Sequence, residues 1–156
     1  LNTKWGMTES EILDAMNGKA VKLKGKKNFQ FGGYATVGMP EYVIDSNKYV
    51  VHFLMNRDTE QLQAVNLDVF EQRIKDQKKY YESLKKALSK EYGEPTCEGV
   101  IENKTANIFR AAWVFPSTII LYSAWVSKIN KTILQFLPND GTKSIDELIY
   151  GKRKKN

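Results

Sequence analysis

The sequence predicts an α+β fold built on antiparallel β-meanders, with the helices packed over one face of the sheet. Three observations lead there. Capping boxes, in which a Ser, Thr or Asp is followed three residues later by Glu, occur at Thr8/Glu11, Asp68/Glu71 and Ser144/Glu147. Between them lie runs of period-two alternation rich in β-branched and aromatic residues. Turn residues separate those runs at short intervals, as antiparallel neighbours require. The predicted order is αβββ-αβββ with a short C-terminal helix. One domain is expected over residues 1–150, in halves of about 1–67 and 68–150, followed by a basic, disordered tail over 151–156.

The first helix is spelled out at both ends. Thr8 and Glu11 can exchange hydrogen bonds, Met7 and Ile12 occupy the staple positions, and Gly18 after Asn17 supplies a left-handed stop. Ile12, Leu13 and Met16 leave a narrow apolar face that needs a partner surface. Core packing is the expected role of Trp5. The segment 20–27, AVKLKGKK, reads as a short strand running into a lysine-rich turn. In FQFGGYATV (29–37) the double glycine suggests a bulge or a close backbone approach. Pro40 is expected to break that run before the separate segment EYVID. The next strand, 48–56, places Tyr49, Val51, Phe53 and Met55 on one face and Val50, His52 and Leu54 on the other. Leu62 to Leu67 reads as a further short strand.

The long helix is predicted from Asp68, with Phe70, Ile74, Tyr81, Leu84 and Leu88 on one face and Gly93-Glu94-Pro95 as its stop. A polar loop carrying Cys97 follows. Three alternating strands come next, in ANIFRAAWVF, TIILYSAWV and TILQFL, with turns at Pro116-Ser117 and 128–131. Ser144 then caps a helix over 145–150.

Composition narrows the function classes. At 156 residues the chain can bury a proper core, and no apolar run approaches the roughly 20 residues of a membrane-spanning helix. The net charge of +6 is unevenly placed. Lys19, Lys22, Lys24, Lys26 and Lys27 form one acid-free cluster and residues 152–155 another. The rest of the chain is mildly acidic, which argues against a protein that coats nucleic acid over its whole surface. With a single cysteine, Cys97, no intrachain disulfide and no cysteine zinc site can form. Leu1 in place of an initiator Met is read as loss of an upstream segment, by a leader peptidase or by truncation.

No catalytic constellation is legible. His52 is the only histidine and lies within an apolar strand, where a satisfied core histidine is the expected role. A hydrolytic triad would need it as base, and no Ser or Cys stands in a nucleophile elbow. Neither GxxxxGK[ST] nor a DxDxDG calcium loop is present. No cofactor and no metal are expected. The five lysines at 19–27 are the one candidate contact for a partner or an anion. Their alternative role is protection of a strand edge against further pairing.

Two stretches resemble a known kind of protein. Trp5-Gly6-Met7-Thr8 followed by acids resembles the start of small exported bacterial domains that open WGM[ST]xxE. The stretch LSKEYGEPT (88–96), followed by Trp113, Pro116 and TIIL, resembles the second half of such domains. The resemblance covers about residues 5–16 and 84–137. It implies an exported protein, periplasmic or anchored as a lipoprotein. The helix-then-meander plan is similar to the β-lactamase-inhibitor-protein fold and to the small lipoprotein of outer-membrane assembly, which bind proteins through the sheet. The lone cysteine departs from the disulfide-bearing inhibitors, and no functional residue carries over.

The expected function is therefore a non-enzymatic binding module for a protein or cell-envelope partner. Alternatives are a small hydrolase or ligand carrier with a cleft between sheet and helices, and a polyanion binder acting through Lys19–Lys27. The capping box gives a first expected outcome. Thr8→Ala should lower stability by about 1 kcal/mol, read as a shift in the urea midpoint, whereas Thr8→Ser should leave the midpoint in place.

Overall fold

The computed structural model describes residues 1–29, 32–69, 75–127 and 131–151. Its fold is α+β with antiparallel strands. The chain divides into two compact units, Leu1–Phe70 and Glu71–Asn156.

Unit 1 begins with α1 (Glu9–Met16) and continues through β1 (Val21–Asn28), β2 (Gly33–Ile44), β3 (Asn47–Asn56) and β4 (Leu62–Val69). The Thr8 capping box is formed in full, and Asn17 in the left-handed region closes the helix. Consecutive strands pair antiparallel, so the unit is a plain meander. Asp45 and Ser46, both at positive φ, make the two-residue turn joining Ile44 to Asn47. Gly6 and Met7 exchange backbone hydrogen bonds with Leu62 (3.1 and 2.8 Å), which ties the segment before α1 to the start of β4. Trp5 is half-buried.

The predicted two-faced alternation of β3 is present, and both faces are buried. Tyr49, Val51, Phe53 and Met55 are at most 2% exposed, while His52 and Leu54 on the reverse face are 6 and 7% exposed.

Unit 2 begins with α2 (Gln77–Tyr92), followed by β5 (Cys97–Glu102), β6 (Asn107–Val114), β7 (Thr118–Val126), β8 (Lys131–Pro138) and α3 (Ile145–Tyr150). These four strands also pair in sequence order. Tyr81, Leu84 and Leu88 of α2 are buried as predicted. The Tyr81 ring stacks on Tyr122 at 4.9 Å between centroids and meets Phe109 at 5.5 Å. At the far end of α2 the Trp113 indole donates to the Gly93 carbonyl (2.7 Å), which fixes the helix stop against β6.

Several expectations need correction. The runs around Pro40 are one strand, not two. Pro40 lies inside the register shift between Met39 and Tyr42, where the ladder does not need its missing N–H. Of the double glycine, only Gly32, at φ +80°, stands in the β1–β2 connection; Gly33 opens β2, its carbonyl accepts from the Phe29 amide, and a Cβ there would lie 2.8 Å from Gln63 Nε2, a close approach from a side chain and not from backbone. The segment after Cys97 is a strand and not a loop. It alternates, with Cys97, Gly99 and Ile101 half-buried and Glu98, Val100 and Glu102 exposed. Each unit thus holds four strands among its described residues, where three were expected, with one helix in unit 1 and two in unit 2.

Asp68 does not cap the long helix. It lies in β4 opposite Val50, and Asp76 is the cap, its carboxylate accepting from the Lys79 amide (3.0 Å). Sheet pairing outcompetes the local capping signal there. Finally, the helices of unit 2 do not share a face. Lys85 of α2 reaches Glu98 (2.8 Å), on the Phe109, Ala111 and Trp113 side. Leu148 and Ile149 of α3 pack with Ala112 and Ile119 on the other side. Phe31, Phe70, Glu71, Ile74, the turn residues 128–130 and residues 152–156, with the basic cluster 152–155, lie outside the described residues.

Gly38 tests the tightness of unit 1. A Cβ there would sit 2.5 Å from the Val51 carbonyl oxygen, a backbone atom of the paired strand that cannot turn aside. Gly38→Ala should cost about 1–3 kcal/mol. Gly25→Ala, with no atom within 4 Å, should be nearly neutral. Paired urea titrations compare the two.

Candidate functional site

The five lysines do not converge on one site. Lys22 pairs with Glu9 of α1 at 3.2 Å, and Lys26 lies 4.0 Å above the Tyr34 ring. Lys27 turns to the opposite side of the sheet, where its Nζ stands 3.4 Å from His52 Nε2 and 5.3 Å from the Phe29 ring centroid. Lys19 precedes β1 in the turn after α1, and Lys24 is exposed. The cause is a break in register. Lys22 lies opposite Val37 and Lys27 opposite Ala35, so β1 carries extra residues over that interval and its side chains are redistributed.

His52 sits in a small polar cluster on that side. Its Nδ1 lies 3.4 Å from Asp68 Oδ2, an electrostatic approach without hydrogen-bond alignment, and Nδ1 is enclosed. Phe29 meets the imidazole edge-on at 5.6 Å. The Lys27 ammonium can only donate, so Nε2 is the accepting atom of that pair. An Asp–His pair is two members of a hydrolytic triad, but the group at Nε2 is an ammonium, which has no lone pair for attack. Cys97 lies in unit 2 beside the α3 cluster, and burial pushes its thiol pKa up, away from the thiolate a nucleophile needs. No group of three or more His, Cys, Asp or Glu that could hold a metal occurs among the described residues.

Among its described residues unit 1 has a groove between the C-terminal end of α1 and the C-terminal half of β2, holding about 560 Å³ and bordered also by Leu1 and Asn2. Met16 and Met39, each 5% exposed, form its floor. Tyr42 and Val43 form its β2 wall, and Val43 is 51% exposed. Lys19 and Glu41 place one charge of each sign on the lining, with Glu41 paired to Lys48 at 3.3 Å. Of the sequence-predicted contact residues, only Lys19 lies in this groove. Met39, Tyr42 and Val43 were missed because nothing local distinguishes them from core. The sequence cue was the interrupted alternation around Pro40, which is where β2 bends.

The groove depends on how α1 is moored. Glu9, in the first turn of α1, accepts a short hydrogen bond from the Thr36 hydroxyl of β2 and pairs with Lys22 of β1. The Thr36 bond, assisted by Lys22, holds the Glu9 carboxyl below its ordinary 4.5, while burial works against it. A carboxylate whose folded pKa is depressed adds stability above its unfolded pKa and loses it as pH falls through the folded one. Thr36→Val should therefore cost about 1 kcal/mol at pH 7, a value kept small by the solvent reaching Glu9. The difference from wild type should close as pH falls well below 4.5. Urea unfolding at pH 7 and at about pH 3 checks this; a gap of equal size at both would assign the effect to packing.

Comparison with known proteins gives this chain no relative: no protein-family model, no curated protein and no solved structure matches it.

Proposed function

We propose that this protein is a binding module without a catalytic step of its own, and that unit 1 receives a short apolar segment of a protein partner in the α1–β2 groove. The observation that supports this most is the pairing of a methionine floor with an exposed Val43 wall. Methionine side chains are unbranched and polarizable, so they accommodate apolar groups of varied shape. The lining is mixed, with Asn2, Asn17, Lys19 and Glu41 beside the apolar groups, so a bound segment would meet polar partners as well as the Val43 wall. Lys19 and Glu41 would then orient the bound segment by its own charges.

A location in the cell envelope is part of the same reading. It rests on the resemblance of residues 5–16 and 84–137 to exported bacterial domains. The divergence of the lysine side chains weighs against the polyanion alternative, because a phosphate backbone is held by cations arrayed along one surface.

Selection of a displayed random-peptide library on the whole protein tests the proposal. Enriched peptides should share an apolar anchor and bind in calorimetry. Val43→Asp, at an exposed position that should tolerate the change, should weaken that binding by about tenfold or more, equivalent to about 1.4 kcal/mol. Peptides that bind the variant as tightly as the wild type would remove the groove from consideration.

A further inference from the structure

β1 does not cover the whole length of β2. Its first residue, Val21, lies opposite Gly38. The residues before it turn back toward α1, with the Lys19 amide donating to the Met16 carbonyl (3.0 Å). Beyond Gly38, β2 continues to Ile44 and pairs only with β3 among the described residues. The C-terminal half of β2 therefore has one paired edge and one edge with no strand beside it.

The turn at Asp45 and Ser46 decides which backbone groups reach that edge. Both residues have positive φ (44° and 69°), so the two-residue loop is closed by a hydrogen-bonded pair, Ile44 with Asn47. Hydrogen-bonded and non-hydrogen-bonded pairs alternate along an antiparallel ladder. The next pair, Val43 with Lys48, is of the second kind, and the N–H and C=O of Val43 aim away from β3. Among the described residues, no backbone hydrogen bond outside the paired ladders reaches Val43. Pro40 and Glu41 lie in the register shift before it, so residues 42–44 are the regular part of this edge.

The groove of unit 1 runs along the same edge. Tyr42 and Val43 point to opposite faces, Tyr42 beside buried Tyr49 and Val43 beside exposed Lys48. A cavity lined by both lies at the rim of the strand and not on one face. It occupies the place of a further strand, on the side of β2 away from β3. The charge of the lining also has a sign. Glu41 is paired with Lys48, whereas Lys19 forms no ion pair among the described residues. The uncompensated side-chain charge is positive.

We infer that the occupant of the groove is an extended segment of a protein partner, added to β2 as an edge strand and carrying an acidic residue that meets Lys19. This rests on the groove reading above and specifies the form the bound segment takes. One residue of the segment exchanges both backbone hydrogen bonds with Val43. Alternate side chains then fall on the side of Met16 and Met39, and the intervening ones on the other. A second copy of the chain would bring its own Lys19 to this edge, like charge against like.

The probe is the tightest peptide from the random-peptide selection, resynthesised and used with the whole protein. Enriched peptides should carry an acid beside the apolar anchor. N-methylation of the probe, one residue at a time, should weaken binding by about tenfold or more at the residue opposite Val43. It should matter little at the two neighbours, whose N–H groups face away from β2. In NMR, the Val43 amide should exchange with solvent about tenfold more slowly once the probe is bound. Val43→Pro removes that N–H where β3 does not use it, and should weaken binding by about tenfold or more. Val43→Thr keeps the N–H and should bind as the wild type does. The methylation scan and the exchange rates use the wild-type chain, so they decide the matter even if Val43→Pro fails to fold. A probe that is lost with Val43→Asp, yet suffers equally from methylation at adjacent residues or leaves the Val43 amide unprotected, keeps the groove and overturns the strand. A Val43 amide already protected in a self-associating chain assigns the edge to a second copy and overturns it too. Enriched peptides without an acid overturn the Lys19 contact. No enriched peptide, or peptides indifferent to Val43→Asp, removes the groove and this inference with it.

Discussion

A strand that is apolar on both sides cannot leave either side in water, and most of this architecture follows from that constraint. β6 and β7 alternate, yet both of their faces carry large apolar groups. The Ala111, Trp113 and Tyr122 face takes α2, and the Ala112 and Ile119 face takes α3. Burial of that much apolar surface is the main favourable term in folding, so the second cover is required as much as the first. β3 poses the same demand in unit 1. Met39, which shares a face with Val51, lines the groove with Met16 of α1. The reverse face is met by residues within and after the irregular stretch of β1, with Leu23 near Gly38 and Phe29 against His52.

This accounts for two polar placements that otherwise look misplaced. His52 occupies an apolar strand position and is accommodated because Asp68 and Lys27 bracket it from both sides. Gln77, 3% exposed at the start of α2, donates to the Thr132 hydroxyl and the Lys131 carbonyl, linking that helix to β8. In both cases the burial is only partly met: Gln77 Nε2 and His52 Nε2 have partners, while Gln77 Oε1 and His52 Nδ1 have no hydrogen bond.

What was legible in the sequence was whatever short-range chemistry decides. The caps of α1 and α3 were readable because Thr8/Glu11 and Ser144/Glu147 form from residues three apart. The two-sided pattern of β3 was readable from its period. What failed did so where a distant partner decides. Asp68 and Glu71 match a capping box, but Asp68 pairs across the sheet with β4's neighbour instead. Pro40 looks like a break until β3 supplies a register shift to hold it. Glu98, Gly99 and Glu102 hide the alternation of β5, because a glycine under Ile149 is a packing choice and not a turn. The lysine cluster was visible as a charge run, whereas the side to which each lysine turns depends on the β1–β2 register. The groove joins α1 to β2, and its one local cue was the interrupted alternation around Pro40, which does not say that α1 lies beside it.

The order of strands within each unit has a consequence for how the chain closes. Every strand pairs with its sequence neighbour, so each hairpin forms by closing a short loop and recovers ladder hydrogen bonds at once. α3 is the exception. It has to return from beyond β8 to reach β5 and β6, across nearly the whole length of its unit. A helix of 6 residues has little stability of its own, and it docks through two buried side chains, Leu148 and Ile149, and one carbonyl held by Arg110. A long closure thus ends on a helix of under two turns, and the Arg110 bond to the Ile149 carbonyl holds the end of that helix against β6.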